Sequence, residues 1–433
     1  MELTARDALA RTILLTRQQR LPDVDENDLV SALANTTMAI VANEENLSSS
    51  AAQATVVALV GLVTACGIRV RLVMPTTAVT GHQPPMIGDD LLDGLCKLAA
   101  DVVPGVEATV DPNTRAGDIV FVLGSTPWNG EANRAWRLTA DAWSGSMLKP
   151  ESLGAPIPAR LPLGGLAAAV AAAGEPYRAA LQSLVAGGSR LTDPALLVPA
   201  EEVTLRLAPA QTPESGFNMR SLDLVSGGAL TSSLMHALLR VEELDLNIRL
   251  WEPEDADGTN LNRYVLLRRS MLPISKVDML RRWLRPGISL TDFQAPVDEL
   301  RLRQIGQWAP WVFVGADRVE ARWLVQSAWP EHLVVAGTVD FLAVVSEHDR
   351  TRPCARCLHA AANEARAEVA TISFVSYLGG LLAATRLLSW SAVGASPDSQ
   401  QVTWAYGDRL DSPTGFRPGA VTREAGCPIC SRR

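Results

Sequence analysis

A chain of 433 residues exceeds what one ordinary hydrophobic core accommodates, so two or three domains are expected. Its 47% hydrophobic and 20% charged content is that of a globular protein, and a net charge of −8 argues against nucleic acid as a partner, because phosphate contacts need clustered Lys and Arg. The start of the chain has no basic segment leading into an apolar run, so no secretion signal is expected. The longest apolar stretch, Ala51 to Ile68, contains Gln53, Thr55 and Thr64 and reads as a buried helix rather than a membrane span. Six cysteines in such a chain fit a reducing cytoplasm.

In chain order, the first half opens with a basic, partly helical segment from Thr4 to Leu21. An apolar strand at Met38–Ala42 passes through the polar turn Asn43–Ser49 into a helix from about Ser50 to Cys66. A strand at Val70–Met74, a helix at about Asp89–Val102 and a strand at Asp118–Leu123 follow. A loop rich in Pro and Gly then leads to Leu163-Gly164-Gly165 and an Ala-rich helix. The stretch from Leu191 to Asn218, with Pro194, Pro199, Pro209 and Pro213, reads as a linker.

The second half repeats that order. Strand Leu222–Val225 enters the small-residue turn Ser226-Gly227-Gly228-Ala229 and a helix to about Val241. A strand at Asn247–Trp251, a helix at about Lys276–Leu284 and a strand at Trp311–Val314 come next, then apolar runs at Leu333–Ala336 and Phe341–Val345 and a late helix carrying Gly379-Gly380. Strands alternating with helices imply parallel βαβ units, an α/β fold built on a Rossmann-like doubly wound sheet, present in two copies. The expected organisation is a degenerate partner domain over 1–190, a linker over 191–218 and a complete domain over 219–433. Both halves place a Gly-Gly pair in or beside the late helix, an internal echo.

The turn after Leu222–Val225 is where free backbone N–H groups at a helix start would meet a phosphate. Against G-x-G-x-x-G it keeps only Gly228, so on its own a plain tight strand-to-helix turn is the favoured reading. The next strand ends in Glu252, at the position where a carboxylate grips ribose hydroxyls; a solvated acidic loop is the competing reading. Downstream stand Asn260-Leu261-Asn262-Arg263, then Lys276, then a strand ending in Asp317 with Arg322 five residues on. Two cations beside a nucleotide can neutralise phosphate charge, though taken alone they are surface charges. Finally Cys354-Ala-Arg-Cys357 and Cys427-Pro-Ile-Cys430 are two C-x-x-C knuckles. Together they offer the four thiolates of a closed, structural zinc site.

This ordered set, over about 221–430, resembles the ThiF/MoeB superfamily, the ubiquitin-activating-like adenylyltransferases. The resemblance implies ATP-dependent adenylation of the C-terminal carboxylate of a small protein or precursor peptide. It implies ATP and Mg²⁺ as cofactors with a structural Zn²⁺ on Cys354, Cys357, Cys427 and Cys430. By the same resemblance, Gly227 and Gly228 approach the nucleotide and Glu252 holds the ribose. Asn260, Arg263 and Lys276 contact phosphates, and Asp317 holds magnesium. Dimerisation, or an internal pseudo-dimer of the two halves, is also implied, with an arginine from the N-terminal segment reaching ATP; Arg11, Arg17 and Arg20 are the candidates.

Ser226 and Thr231 depart from the family's glycines, and Glu252 from its usual Asp, which keeps a second reading open: a degenerate scaffold that presents a peptide to other pathway enzymes. A nicotinamide or flavin enzyme would give the knuckles and the Arg263/Lys276 pair no role. With four thiols on zinc, only Cys66 and Cys96 remain, both in apolar runs, so no thioester nucleophile is expected. In the first half, Glu44 and Glu45 in the corresponding turn would repel a phosphate.

Overall fold

The computed structural model describes residues 3–130, 132–158, 160–192, 198–209, 211–298, 306–359, 370–393, 399–407 and 415–432. The first half runs α1 (Ala5–Ala8), α2 (Ala10–Gln19), α3 (Glu26–Asn35), β1 (Thr37–Val41), α4 (Ser50–Thr64), β2 (Arg69–Val73), α5 (Leu91–Ala100), β3 (Ala108–Val110), β4 (Ile119–Leu123), β5 (Arg134–Ala140), β6 (Ser144–Leu148), α6 (Leu163–Ala186) and β7 (Val203–Arg206). The second runs β8 (Ser221–Val225), α7 (Ala229–Leu238), β9 (Leu246–Trp251), β10 (Asp255–Ala256), β11 (Ile274–Ser275), α8 (Lys276–Arg281), β12 (Ile288–Phe293), β13 (Trp311–Val314), α9 (Val319–Ser327), β14 (His332–Val339), β15 (Leu342–His348), α10 (Ala355–Leu358), α11 (Ser373–Val393), β16 (Gln401–Ala405) and β17 (Arg417–Gly419).

The two main sheets share one topology. The seven-stranded sheet is ordered β3-β2-β1-β4-β5-β6-β7 and the eight-stranded sheet β12-β9-β8-β13-β14-β15-β16-β17. Each enters at a middle strand, adds two neighbours on one side, returns across the start and finishes in antiparallel strands. The central strands β1, β4, β8 and β13 are short apolar runs buried along almost their whole length, as parallel strands covered by helices on both faces must be. Within the stretch read as a linker, Val203–Arg206 pairs antiparallel with β6 and extends the first sheet; Pro194 lies outside the described residues.

The Gly-Gly echo has a steric cause. In the first half, a Cβ on Gly165 of α6 would collide with Thr55 Oγ1 of α4. In the second, a Cβ on Gly380 of α11 would collide with Leu230 O and Ser233 Cβ of α7 and lie 2.7 Å from Leu234 N. Each late helix therefore lies backbone-to-backbone on its half's first sheet helix, an approach that only a residue without a side chain allows.

One hydrophobic core runs through both halves. Helix α11 packs on both α7 and α6. Its Ser373 Oγ donates to Leu62 O at 2.8 Å, and the Tyr177 ring of α6 packs at tilted angles against Phe341, Phe374 and Tyr406 of the second half. The N-terminal helices cross the seam too: Asn262 Nδ2 donates to Thr12 Oγ1 at 2.9 Å. Among the described residues, no helix is long and apolar enough to cross a membrane.

Candidate functional site

At the carboxyl ends of β8 and β13 the chain reverses its direction across the sheet, and a crevice opens there, as it does in doubly wound sheets. The crevice is a cavity of about 550 Å³. Its lining includes Ser226, Gly228, Glu252, Glu254, Arg263, Tyr264, Lys276, Asp317 and Arg318.

The turn between β8 and α7 is tightly specified. Ser226 adopts φ +80°, a left-handed conformation uncommon outside glycine. It is held by Thr231 Oγ1, which donates to Ser226 O at 2.5 Å, and by Gly228 N–H, which donates to Ser226 Oγ at 3.3 Å. The two residues that depart from the glycine pattern thus bond to each other. Gly227 N–H donates to Glu252 Oε2 at 2.5 Å, and a Cβ on Gly227 would sit 3.0 Å from Glu252 Cγ and 3.3 Å from Lys276 Cβ.

The short β10–β11 pair places Glu254 beside the start of α8, which Ser275 caps by accepting from Asp278 N at 3.0 Å. Lys276, the first residue of α8, is buried and reaches Glu254 Oε2 with Nζ at 2.5 Å. Burial alone would lower the Lys276 pKa, but Tyr264, Glu252 and Glu254 together raise it above the ordinary lysine value, so the ammonium stays charged. Arg263 donates through Nη1 to Thr259 O at 2.5 Å and Asn262 Oδ1 at 2.9 Å. Its guanidinium lies 5.3 Å from the Tyr264 ring, with Lys276 Nζ 5.9 Å from the same ring. Tyr264 thus lies against both cations, and burial pushes its phenol pKa up. Burial lowers the Arg263 pKa, and Tyr264 and Asp317, the latter just past β13, partly oppose that.

Not every expected residue reaches the cavity. Asn260 is buried, and its Oδ1 accepts from Asp257 N at 3.1 Å, capping the Gly258–Asn260 turn that delivers Arg263. Arg322 stands behind the wall: Nε and Nη2 donate to Ala316 O at 3.2 and 3.1 Å, and Nη2 also donates to Ala336 O at 3.2 Å. Of the N-terminal arginines, Arg17 pairs with Glu26 at 2.7 Å and Arg20 lies 4.5 Å from the Phe341 ring. Arg11 is half-buried next to Thr12 and acts electrostatically on Arg263.

The four knuckle thiols converge. Cys354 Sγ lies 3.6 Å from Cys357 Sγ and 3.5 Å from Cys427 Sγ, and Cys357 Sγ lies 3.6 Å from Cys430 Sγ. A tetrahedral zinc with Zn–S bonds of about 2.3 Å has S···S edges of about 3.8 Å, so the donor set fits. Among the described residues this is the one such metal-ligating cluster. Cys66 is fully buried with its thiol pKa pushed up to about 12 by desolvation, and burial raises Cys96 as well; neither is set up as a nucleophile.

The matching crevice of the first half is filled, though not by the acidic pair. Glu44 and Glu45 point to solvent. Asn46 occupies the space instead: its Nδ2 donates to Asn43 Oδ1 at 2.7 Å, its Oδ1 accepts from Ser125 N at 3.0 Å, and it packs directly on Gly124.

No family model and no curated protein matches the chain. Solved structures of similar shape include E. coli MccB with ATP, at 16% identity over 49% of this chain and 67% of that one, with a TM-score of 0.40. E. coli MccB with SeMet MccA gives 17% identity, 49% and 66% coverage and a TM-score of 0.41. SeMet PaaA gives 11%, 47% and 64% coverage, and 0.38. The overlap thus spans about half of this chain and under two thirds of most of these neighbours.

Sequence reading missed several lining residues. Tyr264 directly follows Arg263, and an aromatic next to that cation was the available signal. Thr338, Thr371 and Ser376, which line the cavity from β14 and the start of α11, carry no local pattern; tertiary packing alone brings them there.

Proposed function

We propose that the second half binds ATP in the β8–β13 crevice and adenylates the C-terminal carboxylate of a small protein or precursor peptide. The observation that carries this is the convergence of Glu252, Arg263, Lys276 and Asp317, from separate stretches of chain, on one cavity beside a strand-to-helix turn. Glu252 accepts at Oε2 from Gly227 N–H and Ser226 Oγ and at Oε1 from Glu254 N–H, which leaves a lone pair on Oε1 for a ribose hydroxyl. Arg263 and Lys276 meet the phosphates. Asp317 holds magnesium, which when bound spreads the charge of the phosphates.

In the reaction an acceptor carboxylate oxygen attacks the α-phosphorus, a new P–O bond forms, and the bridging P–O bond to the β-phosphate breaks. The electron pair departs with pyrophosphate, whose growing charge Arg263 and Lys276 neutralise. The first half acts as a built-in, nucleotide-free partner, and its N-terminal helices bring Arg11 toward Arg263. Zinc on the four cysteines closes the C-terminal segment and takes no part in the chemistry.

A specific observation favours the second reading, a peptide-presenting scaffold. The Gly227 N–H and the Lys276 ammonium, the donors a phosphate would use, already bond to Glu252 and Glu254. Titration with ATP and magnesium separates the two: the enzyme reading expects Lys276-dependent binding, and the scaffold reading expects none. ATP-dependent pyrophosphate exchange with the genuine acceptor, abolished by Asp317→Ala, then tests the chemistry.

A further inference from the structure

The side chain that ties the cysteine cluster to the cavity wall is His359, two residues past Cys357. Its Nε2 lies 3.0 Å from Arg322 Nη1. A guanidinium only donates, so Nε2 accepts and the ring proton sits on Nδ1. Arg322 in turn holds Ala316 O with two N–H groups, and Ala316-Asp317 lines the cavity. Gly337 leaves room for the guanidinium beside β14, since a Cβ there would lie 3.0 Å from Arg322 Nη2.

At the other end, His359 follows a single helical turn. Its N–H donates to Ala355 O at 3.1 Å, and Cys357 N–H donates to Cys354 O at 2.9 Å. One isolated turn has no stability of its own. What fixes it is the cysteine cluster and α9, through Ala355 N to Gln326 Oε1 at 3.0 Å and Trp323 Nε1 to His359 O at 2.9 Å.

We propose that His359 is a positioning residue that couples the metal-bound knuckle to Asp317, acting through Arg322 and the Ala316 carbonyl. The knuckle is then more than a staple for the chain's end: when the metal leaves, the His359 turn loosens, Arg322 Nη1 loses its His359 acceptor, and the loop that presents Asp317 gains freedom. The consequence for nucleotide binding rests on the function proposed above; the mechanical link does not.

The test compares full-length wild type, His359→Ala and His359→Gln, since a Gln amide oxygen can still accept from Arg322. Three readouts are needed: zinc content, hydrogen exchange across 315–321, and the magnesium dependence of ATP binding. His359→Ala is expected to keep its zinc, lose roughly tenfold in exchange protection over 315–321, and need roughly tenfold more magnesium for half-saturation. His359→Gln should return both within about threefold, and chelated wild type should show the same loss of protection as His359→Ala. Wild-type protection in zinc-loaded His359→Ala overturns the proposal, as does equal loss in His359→Gln. A wild type that binds no ATP defeats the proposed function, while the exchange pattern still decides the link.

Discussion

Lys276 Nζ and Glu254 Oε2 meet at 2.5 Å across a boundary of exposure: the lysine side chain is 9% exposed, the glutamate side chain 70%. The cation is fixed and its partner is free to leave. An exposed carboxylate contributes about 0–1 kcal/mol to such a pair, less than a phosphate gains from a charge-assisted bond. On the proposed function, Glu254 holds the place that a nucleotide phosphate would take. Calorimetry with ATP and magnesium should show Glu254→Gln binding about threefold more tightly than wild type, and Lys276→Ala about 10–100-fold more weakly.

The cysteine pairs make a separate prediction. Wild type should purify with zinc and Cys427→Ser without it, and the C-terminal segment of the variant should become protease-sensitive. Cys66→Ser and Cys96→Ser should keep the metal. Elemental analysis of the purified chains checks this.

The small-residue contacts between helices predict an asymmetry within one dipeptide. A Cβ on Gly379 would approach Leu230 Cδ2 at 2.7 Å, the end of a side chain that can turn aside, whereas one on Gly380 would meet backbone of α7. Gly379→Ala should cost about 1 kcal/mol and Gly380→Ala about 2–3 kcal/mol, read from urea unfolding midpoints.

Buried histidines set the acid limit. Desolvation depresses His236 well below its ordinary value and brings His348 down to about 4. The unfolded chain takes up these protons near pH 6.5, before the folded one does. Stability from these groups is thus complete above pH 6.5 and falls as pH drops toward 4, by about 1.4 kcal/mol per pH unit for each histidine. Unfolding free energies measured from pH 7 to pH 4.5 should show this slope, and His348→Gln should flatten it by about one proton.

The legible parts of the fold were those buried on both sides. Met38–Ala42, Asp118–Leu123, Leu222–Val225 and Trp311–Val314 are apolar runs because their strands lie in the middle of covered sheets, and β1, β4, β8 and β13 form there. The outer strands were not legible: Arg134–Ala140 and Ser144–Leu148 mix Arg, Thr and Ser with apolar residues, the first because only its middle is buried and the second because its residues alternate between buried and half-buried, which hides the pattern. Helix α9 was missed for a similar reason, as its segment Val319–Ser327 buries only a stripe. At the site, residues bearing charge could be found from order and spacing. The Asn46 plug of the first half, and the Arg322–His359 contact, depend on side chains meeting across distant chain segments, which no local pattern encodes.

The central claim is that this chain holds one nucleotide, in the second half. Calorimetric titration of the full-length protein with ATP and magnesium tests it most directly. The account predicts one site per chain, lost in Lys276→Ala and unchanged by Glu44→Gln in the first half. Absence of ATP binding by wild type, or binding that survives the combined Arg263→Ala and Lys276→Ala substitution, would contradict it.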